Sequence, residues 1–557
     1  MMLNYNTVKN GLTEVFMEKR RYGLFTAITM ITGIVIGSGI FFKADDVLKY
    51  TNGNVLLGVI VFVVAAIAIV FGCLAISSLA TLTDKPGGLI AYMEEFVGIG
   101  PSCSLGWFQT FLYYPTLCAV LSWVSGIYIC MLFDINNTLD TQIMIGFFCL
   151  LIFFLFNTLS AKLGGYFQNG AMIIKLVPLV LVALAGLFFG NTGAMTAESV
   201  KNFGQATSSL GWIAAFAPIA FSFDGWIVST SISNEIKNSK RNLPLALTIS
   251  PLIILIAYVA YFVGITSLLG PDKVLVLGDD SVFEASTILF GHIGAKLILT
   301  FVTISVLGTL NGLTLGFIRM PYSLALRNMI PASNTLKKKK DTLDSMPFNS
   351  AIFAFVLSVI WLAIHYSTQK SEMAGDVSEI AIGVSYLGYI VLYIAVMRLA
   401  KQGKIKGKIK GYIIPILAAI GSLIIISGSV THPLFIYYLT VCIIIIVAGF
   451  LYYIKSRSIE TKKHKILYLC ITIPMIYFVI VIAPLMILTK VGEIYCVGII
   501  SLIIFGLWCV FNGIWNACTD YYSVFKTEKF QKIKNCPKWV WWIVFIVGVL
   551  AIVTAFI

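Results

Sequence analysis

Charge is scarce in this chain. Asp, Glu, Lys and Arg make up 11% of its 557 residues against 59% hydrophobic residues, and a mean hydropathy of +0.94 lies far outside the range of a soluble globular domain. A water-soluble enzyme or binding module is excluded, and a polytopic membrane protein is expected. Histidine is scarcer still. His292, His365, His432 and His464 fall at the ends of apolar stretches or in loops, so neither a metal centre nor a nucleophile–base pair emerges from them. The eleven cysteines are scattered through apolar segments without metal-ligand spacing, and they read as small buried hydrophobes. No cofactor and no catalytic group is expected. Acidic residues number 25 against 39 Lys and Arg, a net charge of +14. In a soluble chain that excess would point to nucleic acid, but here most of it lies in short loops between apolar stretches, as the positive-inside rule requires. The lipid bilayer is the expected partner, and no nucleic acid is.

What the chain has in abundance is long apolar runs. Residues 1–21 are polar, end in Lys19-Arg20-Arg21 and are expected to lie in the cytoplasm of a multi-pass cell-membrane protein. The first run, Tyr22–Phe42, is too long for a signal-peptide core and lacks a cleavage pattern, so it stays as span 1. Spans 2 to 5 follow at about Val55–Leu82, Leu105–Leu132, Ile143–Leu159 and Tyr166–Phe189, and Pro86-Gly87-Gly88 opens a short amphipathic helix before span 3. Residues 22–190 thus form a first five-helix repeat. A second, residues 207–397, holds span 6 from Leu210, span 7 at Leu245–Leu269, span 8 at Ile293–Leu326, span 9 at Ser350–His365 and span 10 at Ser378–Val396. Between spans 7 and 8, Val282–Phe290 reads as a short helix over the entrance. Residues 412–454 supply spans 11 and 12, and residues 466–557 form a C-terminal extension with two or three further spans, about 14–15 in total by the length rule.

Two of these runs are interrupted. Gly37-Ser38-Gly39 sits at mid-membrane depth in span 1, where each glycine costs roughly 1 kcal/mol relative to alanine and needs a reason to be there. Close helix packing is one reason and a broken helix is another. The second interruption, Ser222-Phe223-Asp224-Gly225, lies in the first span of the second repeat and decides for the broken helix. Two broken spans in matching places are the mark of transporters built from inverted repeats, with the substrate bound at the breaks. The chain is therefore expected to be all-α, a 5+5 inverted repeat with broken helices 1 and 6. The half-helix beginning at Ile40 would aim its N–H groups at a carboxylate, and the free carbonyls at Phe221 and Ser222 suit an ammonium. Asp224 is either a functional ionisable group or the N-cap of the lower half-helix, and the cap is favoured.

Lys175 lies near the middle of span 5, where an ammonium must find carbonyls, a carboxylate or water. About two helical turns flank it on each side, too many for the stem to snorkel past. It is expected to hold the break of span 1 where a sodium ion would otherwise sit, and coupling to a proton stays open. Asn311 lines the pocket or bonds between helices, while Tyr114 and Pro115 are further candidates for the pocket that takes the side chain.

The strings GIVIGSGIFF at Gly33–Phe42, PGGLIAYMEEFVG at Pro86–Gly98 and FSFDGWIVSTSISNEIKNSKRNLP at Phe221–Pro244 resemble the amino acid–polyamine–organocation superfamily. Within it the chain is similar to L-type amino acid transporters, above all to bacterial serine/threonine exchangers. KLGGYFQNGAMIIKLVPL at Lys162–Leu179 and GTLNG at Gly308–Gly312 extend the likeness, which covers roughly residues 20–450. The resemblance implies a LeuT-like fold, alternating access and sodium-independent amino acid exchange. It further implies that Gly37, Ser38 and Gly39 bind the substrate carboxylate and that Phe221, Ser222 and Asp224 bind its amino group through their carbonyls; Gly225 is expected among the substrate-binding residues. Phe221 would gate the site, and Lys175 matches the family's span-5 lysine. Phe223 departs from the family, which usually has a tyrosine there, and the segment after about Ile454 has no counterpart in twelve-span members.

Neutral, small L-amino acids are the expected substrates, since no acidic group beyond Asp224 is placed to select cationic side chains. A proton-coupled uptake symporter is the alternative, and an amino acid sensor with a transporter fold a remoter one.

Overall fold

The computed structural model describes residues 23–456, apart from 38, 84, 86, 160, 228–235, 339–346, 371–376 and 431–434. The N-terminal segment 1–21, Ser38, the continuation of span 6 and the C-terminal extension 466–557 lie outside the described residues.

Among the described residues, eight helices are long and apolar enough to cross a membrane. They are spans 2 (Val55–Ala80), 3 (Ile99–Leu132), 4 (Leu139–Leu159), 7 (Arg241–Leu269), 8 (within Pro271–Leu326), 9 (Phe348–Lys370), 10 (Ala381–Lys401) and 11 (Ile409–Val430). Span 5, Ala161–Phe189, is followed after a bend of 86° by the helix Thr192–Lys201. Shorter apolar helices at Leu24–Val35, Leu210–Ser222 and Val441–Tyr453 belong to spans 1, 6 and 12.

Span 2 shows how such a sequence partitions. It is apolar all round, so no polar face dictates its rotation, and packing decides instead: Val61, Phe62, Ala65 and Ile69 are buried in the bundle, while Ile60, Val63 and Ile67 form a stripe on the outside. Its start is fixed by Asn54, whose side chain accepts the Leu57 N–H at 2.9 Å.

Span 3 runs through the middle of the bundle, and within it Gln109–Tyr113 forms one turn of π-helix. The extra residue in that turn rotates everything beyond it relative to a regular helix. A helix begins at Ser281 in the stretch where a short one is expected, and it is separated from span 8 at Gly291 (φ 68°, ψ 177°), a conformation that only glycine adopts without strain.

The short helix Gly88–Phe96 is tied down at the lysine-rich face of the molecule, the face bearing Lys337, Lys338 and Lys401–Lys410. Arg327 at the end of span 8 donates to Glu94 at 2.9 Å, Arg398 of span 10 donates to the Phe96 carbonyl, and Thr83 donates to Glu95 at 2.6 Å.

Candidate functional site

Span 1 stops as a helix at Val35. Ile36 turns to an extended conformation (φ −68°, ψ 105°), and a new helix begins at Gly39 and runs to Tyr50. Ending a helix leaves its last carbonyls without intrahelical donors, and inside a bilayer they need protein partners. Two side chains supply them. The Lys175 ammonium, wholly buried, donates to the Gly33 carbonyl at 2.8 Å, and the Tyr258 hydroxyl of span 7 lies 3.2 Å from the Val35 carbonyl.

The glycines are explained by what lies against them. A Cβ on Gly37 would stand 2.2 Å from Thr309 Oγ1 of span 8, and a Cβ on Gly39 would stand 2.7 Å from Ser222 Cα, so each backbone approaches its neighbour more closely than any side chain permits. Lys175 also donates to Thr309 Oγ1 at 3.1 Å, and Thr309 passes its own proton to the Ser305 carbonyl. Span 5 and span 8 therefore hold the break from one side.

Span 6 enters as a 3₁₀ segment, Leu210–Ala215, continues as α-helix to Ser222 and unwinds at Phe223–Gly225. Gly225 has φ 98°, and its own missing Cβ would lie 3.0 Å from Ile34 Cγ2 of span 1. The two breaks thus interlock, Gly39 against Ser222 and Gly225 against Ile34. Tyr258 bridges them: its hydroxyl lies 2.9 Å from the Ser222 carbonyl as well as near Val35. The Ser222 hydroxyl turns back on the Pro218 carbonyl at 3.0 Å. Asp224 accepts a 2.5 Å hydrogen bond from Tyr113 of span 3.

A cavity opens between the breaks. It is walled by Ile34, Val35, Gly37 and Gly39 of span 1, Phe221, Asp224 and Gly225 of span 6, Leu117 and Leu121 of span 3, and Thr309, Gly312 and Leu313 of span 8. Phe221 is covered in turn by Lys43, whose ammonium stands 5.5 Å from the ring centroid. Lys43 is buried and joins Glu379, at the start of span 10, at 2.5 Å, and Asp46 at 3.1 Å. This cluster seals the face opposite the lysine-rich one.

Of the residues singled out in the sequence, Gly37, Gly39, Phe221, Asp224 and Gly225 line the cavity, Ile40 and Ser222 are buried directly behind it, and Lys175 holds the break. Asn311 is buried between spans 4 and 8, where Asn157 donates to its Oδ1 at 3.0 Å, and it is not among the lining residues. Tyr114 stacks on Phe317 at 5.6 Å and Pro115 is likewise outside the lining, while Leu117 and Leu121 face the cavity. Tyr113, Tyr258, Lys43 and Glu379 carry no signal in the local sequence beyond being polar within or beside an apolar run. Phe223, lacking the family's hydroxyl, packs edge-on against Tyr258 at 5.2 Å.

Residues 22–433 match the amino acid permease family. The chain is 30% identical over 430 residues to the serine/threonine exchanger SteT of Bacillus subtilis (strain 168), an alignment covering 76% of this chain and 93% of that protein. It is 26% identical over 449 residues to human b(0,+)-type amino acid transporter 1, covering 78% of this chain and 87% of the relative. Its fold is similar to that of MhsT, solved with L-phenylalanine, with a TM-score of 0.50 at 15% sequence identity over 72% of this chain and 97% of that one. The broken spans, the cavity between them and the family match together establish that this chain is a LeuT-fold membrane transporter belonging to the amino acid permease family.

Proposed function

We propose that the protein exchanges small neutral L-amino acids across the cell membrane, independently of sodium, by alternating access, with its N-terminus in the cytoplasm. The observation that carries this reading is Lys175, buried and donating to the Gly33 carbonyl and Thr309 at the break of span 1. A fixed ammonium there supplies the positive charge that a bound sodium ion would supply, so the break keeps its shape without a co-transported cation. The substrate carboxylate lies at Gly37–Gly39, facing the N–H groups of the half-helix Gly39–Tyr50, whose dipole end favours an anion. The ammonium lies against the carbonyls of Phe221, Ser222 and Asp224 beside Gly225. Each carbonyl has a second lone pair beyond the one its protein partner uses. Phe221 is the lid on the side of Lys43.

The 30% identity to a serine/threonine exchanger supports hydroxylated and other small neutral side chains. Proton symport is the second reading, favoured by the same lysine, since its ammonium donates to two neutral oxygens, the Gly33 carbonyl and Thr309 Oγ1. The test is uptake of labelled L-serine into proteoliposomes at matched and stepped pH, with choline replacing sodium. Exchange requires internal amino acid and ignores both sodium and the pH step. Uptake into empty vesicles driven by an inward proton gradient would replace exchange with symport.

A further inference from the structure

Span 11 meets lipid along one face. Ile409, Ile413, Ile416, Ile420 and Leu423 are all exposed and recur at intervals of four and three residues, which makes them a single stripe on the outside of the bundle. The stripe begins at the lysine-rich face, where the exposed Tyr412 marks the level of the lipid headgroups, as interfacial aromatics do. Just before it and within its first turn stand Lys404, Lys406, Lys408 and Lys410, every one exposed. The loop that carries them is held at both ends. Gly403, at φ 77°, closes span 10: its N–H donates to the Ala400 carbonyl at 2.9 Å and the Lys404 N–H donates to the Leu399 carbonyl at 3.0 Å, the paired bonds of a glycine-capped helix end. Span 11 then starts directly against span 10, and a Cβ on Gly411 would stand 2.5 Å from that of Ala400. These lysines lack a counter-charge in the protein. The sequence holds no Asp or Glu between Glu379 and Glu460. Of the acids at this face, Glu94 is engaged by Arg327 and Glu95 by Lys85, and among the described residues no ion pair reaches the four lysines. Lys408 and Lys410 moreover sit at the start of span 11, where the helix dipole disfavours a cation. Setting the orientation of a span requires positive charge, but neither a fixed loop nor a place beside a lipid-facing stripe.

We infer that the loop between spans 10 and 11 is a docking surface for anionic lipid headgroups, with the phosphodiester among the four lysines and the acyl chains along the isoleucine stripe of span 11. The two parts of the surface match the two parts of a lipid, a negative head and an apolar tail, and they are continuous through Ile409 and Lys410. A soluble anion would use the lysines alone and leave the stripe without a role in its binding. Each lysine close to an anionic lipid surface strengthens binding by about fivefold, so four of them on one fixed loop suffice to select an anionic over a zwitterionic headgroup. The surface depends neither on the substrate nor on the mode of transport. Span 10, which the loop terminates, holds Lys43 through Glu379 at its other end and the Phe96 carbonyl through Arg398 near the loop. A seated headgroup therefore steadies a helix that takes part in both faces of the molecule.

The deciding experiment is native mass spectrometry of the detergent-purified full chain, titrated with phosphatidylglycerol or with phosphatidylcholine of the same acyl chains. The expected result is tighter binding of phosphatidylglycerol, by about tenfold or more, in the unaltered protein. That preference should fall by about fivefold or more when Lys404→Gln, Lys406→Gln, Lys408→Gln and Lys410→Gln are combined. It should survive in a Lys337→Gln, Lys338→Gln control on the same face, and all six positions are exposed, so folding is not at stake. Phosphatidylglycerol should likewise raise the apparent melting temperature of the unaltered protein more than phosphatidylcholine does, and the quadruple variant should lose that difference. Equal affinity for the two lipids, or a full preference kept by the quadruple variant, would overturn the inference. An equal loss in the Lys337/Lys338 control would make the attraction a property of the whole face and overturn the site. Displacement of the lipid by soluble glycerol phosphate at matching concentration would assign the lysines to a soluble anion instead.

Discussion

Gly39 of span 1 and Ser222 of span 6 touch backbone to backbone: the space a Cβ on Gly39 would need ends 2.7 Å from Ser222 Cα. Two helix breaks, 183 residues apart by their numbers, share one wall at the centre of the bundle. Gly39→Ala must therefore push the breaks apart, because the obstacle is a backbone atom that no rotamer change removes. Transport is expected to fall by about a hundredfold or more, equivalent to roughly 3 kcal/mol, and Ser222→Ala should not restore it. Initial exchange rates of the single and double variants at matched surface expression check this.

At Gly37 the obstacle is different in kind. The added Cβ would meet the side chain of Thr309, 2.2 Å from Oγ1, so relief is available by trimming that side chain. Gly37→Ala is expected to abolish exchange, and Gly37→Ala combined with Thr309→Ala, which removes Oγ1, should recover a measurable part of it. The contrast between rescue here and none at Gly39 is the readout.

Lys175→Ala removes the buried ammonium that donates to the Gly33 carbonyl and to Thr309 Oγ1, and a hydrogen bond to a charged group contributes about 1.5–3 kcal/mol. The half-helix Leu24–Val35 should lose its fixed end while the protein still inserts. Exchange is expected to drop at least tenfold, with membrane levels near those of the unaltered protein. Wild-type rates and affinity in this variant would remove Lys175 from the mechanism.

Lys43 and Glu379 form a buried pair in which the two partners are unequal. Lys43 retains Asp46 when Glu379 is changed, whereas changing Lys43 takes the ammonium from both the buried Glu379 carboxylate and Asp46. Removing one member of a buried pair typically costs about 3–5 kcal/mol. Lys43→Ala should lower the apparent melting temperature of the purified protein more than Glu379→Gln does. It should also expose the cavity to a thiol reagent directed at a cysteine placed near Phe221 from the Lys43 side.

Half-buried Asp279, in the turn between the helix Pro271–Leu277 and the helix that begins at Ser281, is held well above the ordinary carboxylate range, chiefly by burial and then by the negative charges of Asp45 and Asp46. A carboxyl whose pKa is raised by folding binds its proton more tightly folded than unfolded. Its stabilising contribution is therefore full at low pH and is lost as pH rises through the raised value. The segment Pro271–Leu277 should accordingly exchange its amide hydrogens more slowly at acid pH than at alkaline pH, once rates are corrected for intrinsic exchange. Asp279→Asn should flatten that dependence.

Much of this architecture is legible in the chain because membrane helices obey few rules and obey them strongly. Long apolar runs mark the spans, and Gly-Ser-Gly in one matched by Ser-Phe-Asp-Gly in another marks the breaks. Lys175 announces itself because a charge at that depth needs a partner. The rest depends on pairings that no local pattern encodes. Tyr258 looks like any aromatic in span 7 until its hydroxyl is found between Val35 and Ser222. Lys43 and Glu379 lie 336 residues apart. Tyr114 and Pro115 are ordinary candidates for a pocket, yet the π-turn at Gln109–Tyr113 rotates span 3 so that Leu117 and Leu121 face inward and Tyr114 stacks on Phe317. Asn311, open between pocket and helix contact in the sequence, is bonded to Asn157.

The central claim is that the two breaks together grip the amino acid backbone and release it only in exchange for another. Counterflow of labelled L-alanine into proteoliposomes tests it most directly, with the vesicles empty or loaded with L-alanine, its methyl ester or its N-acetyl derivative. The account predicts accumulation of label only with the free amino acid inside, because the ester lacks the carboxylate for Gly37–Gly39 and the acetylated form lacks the ammonium for Phe221–Asp224. Equal accumulation in empty vesicles, or with either blocked derivative inside, would contradict it.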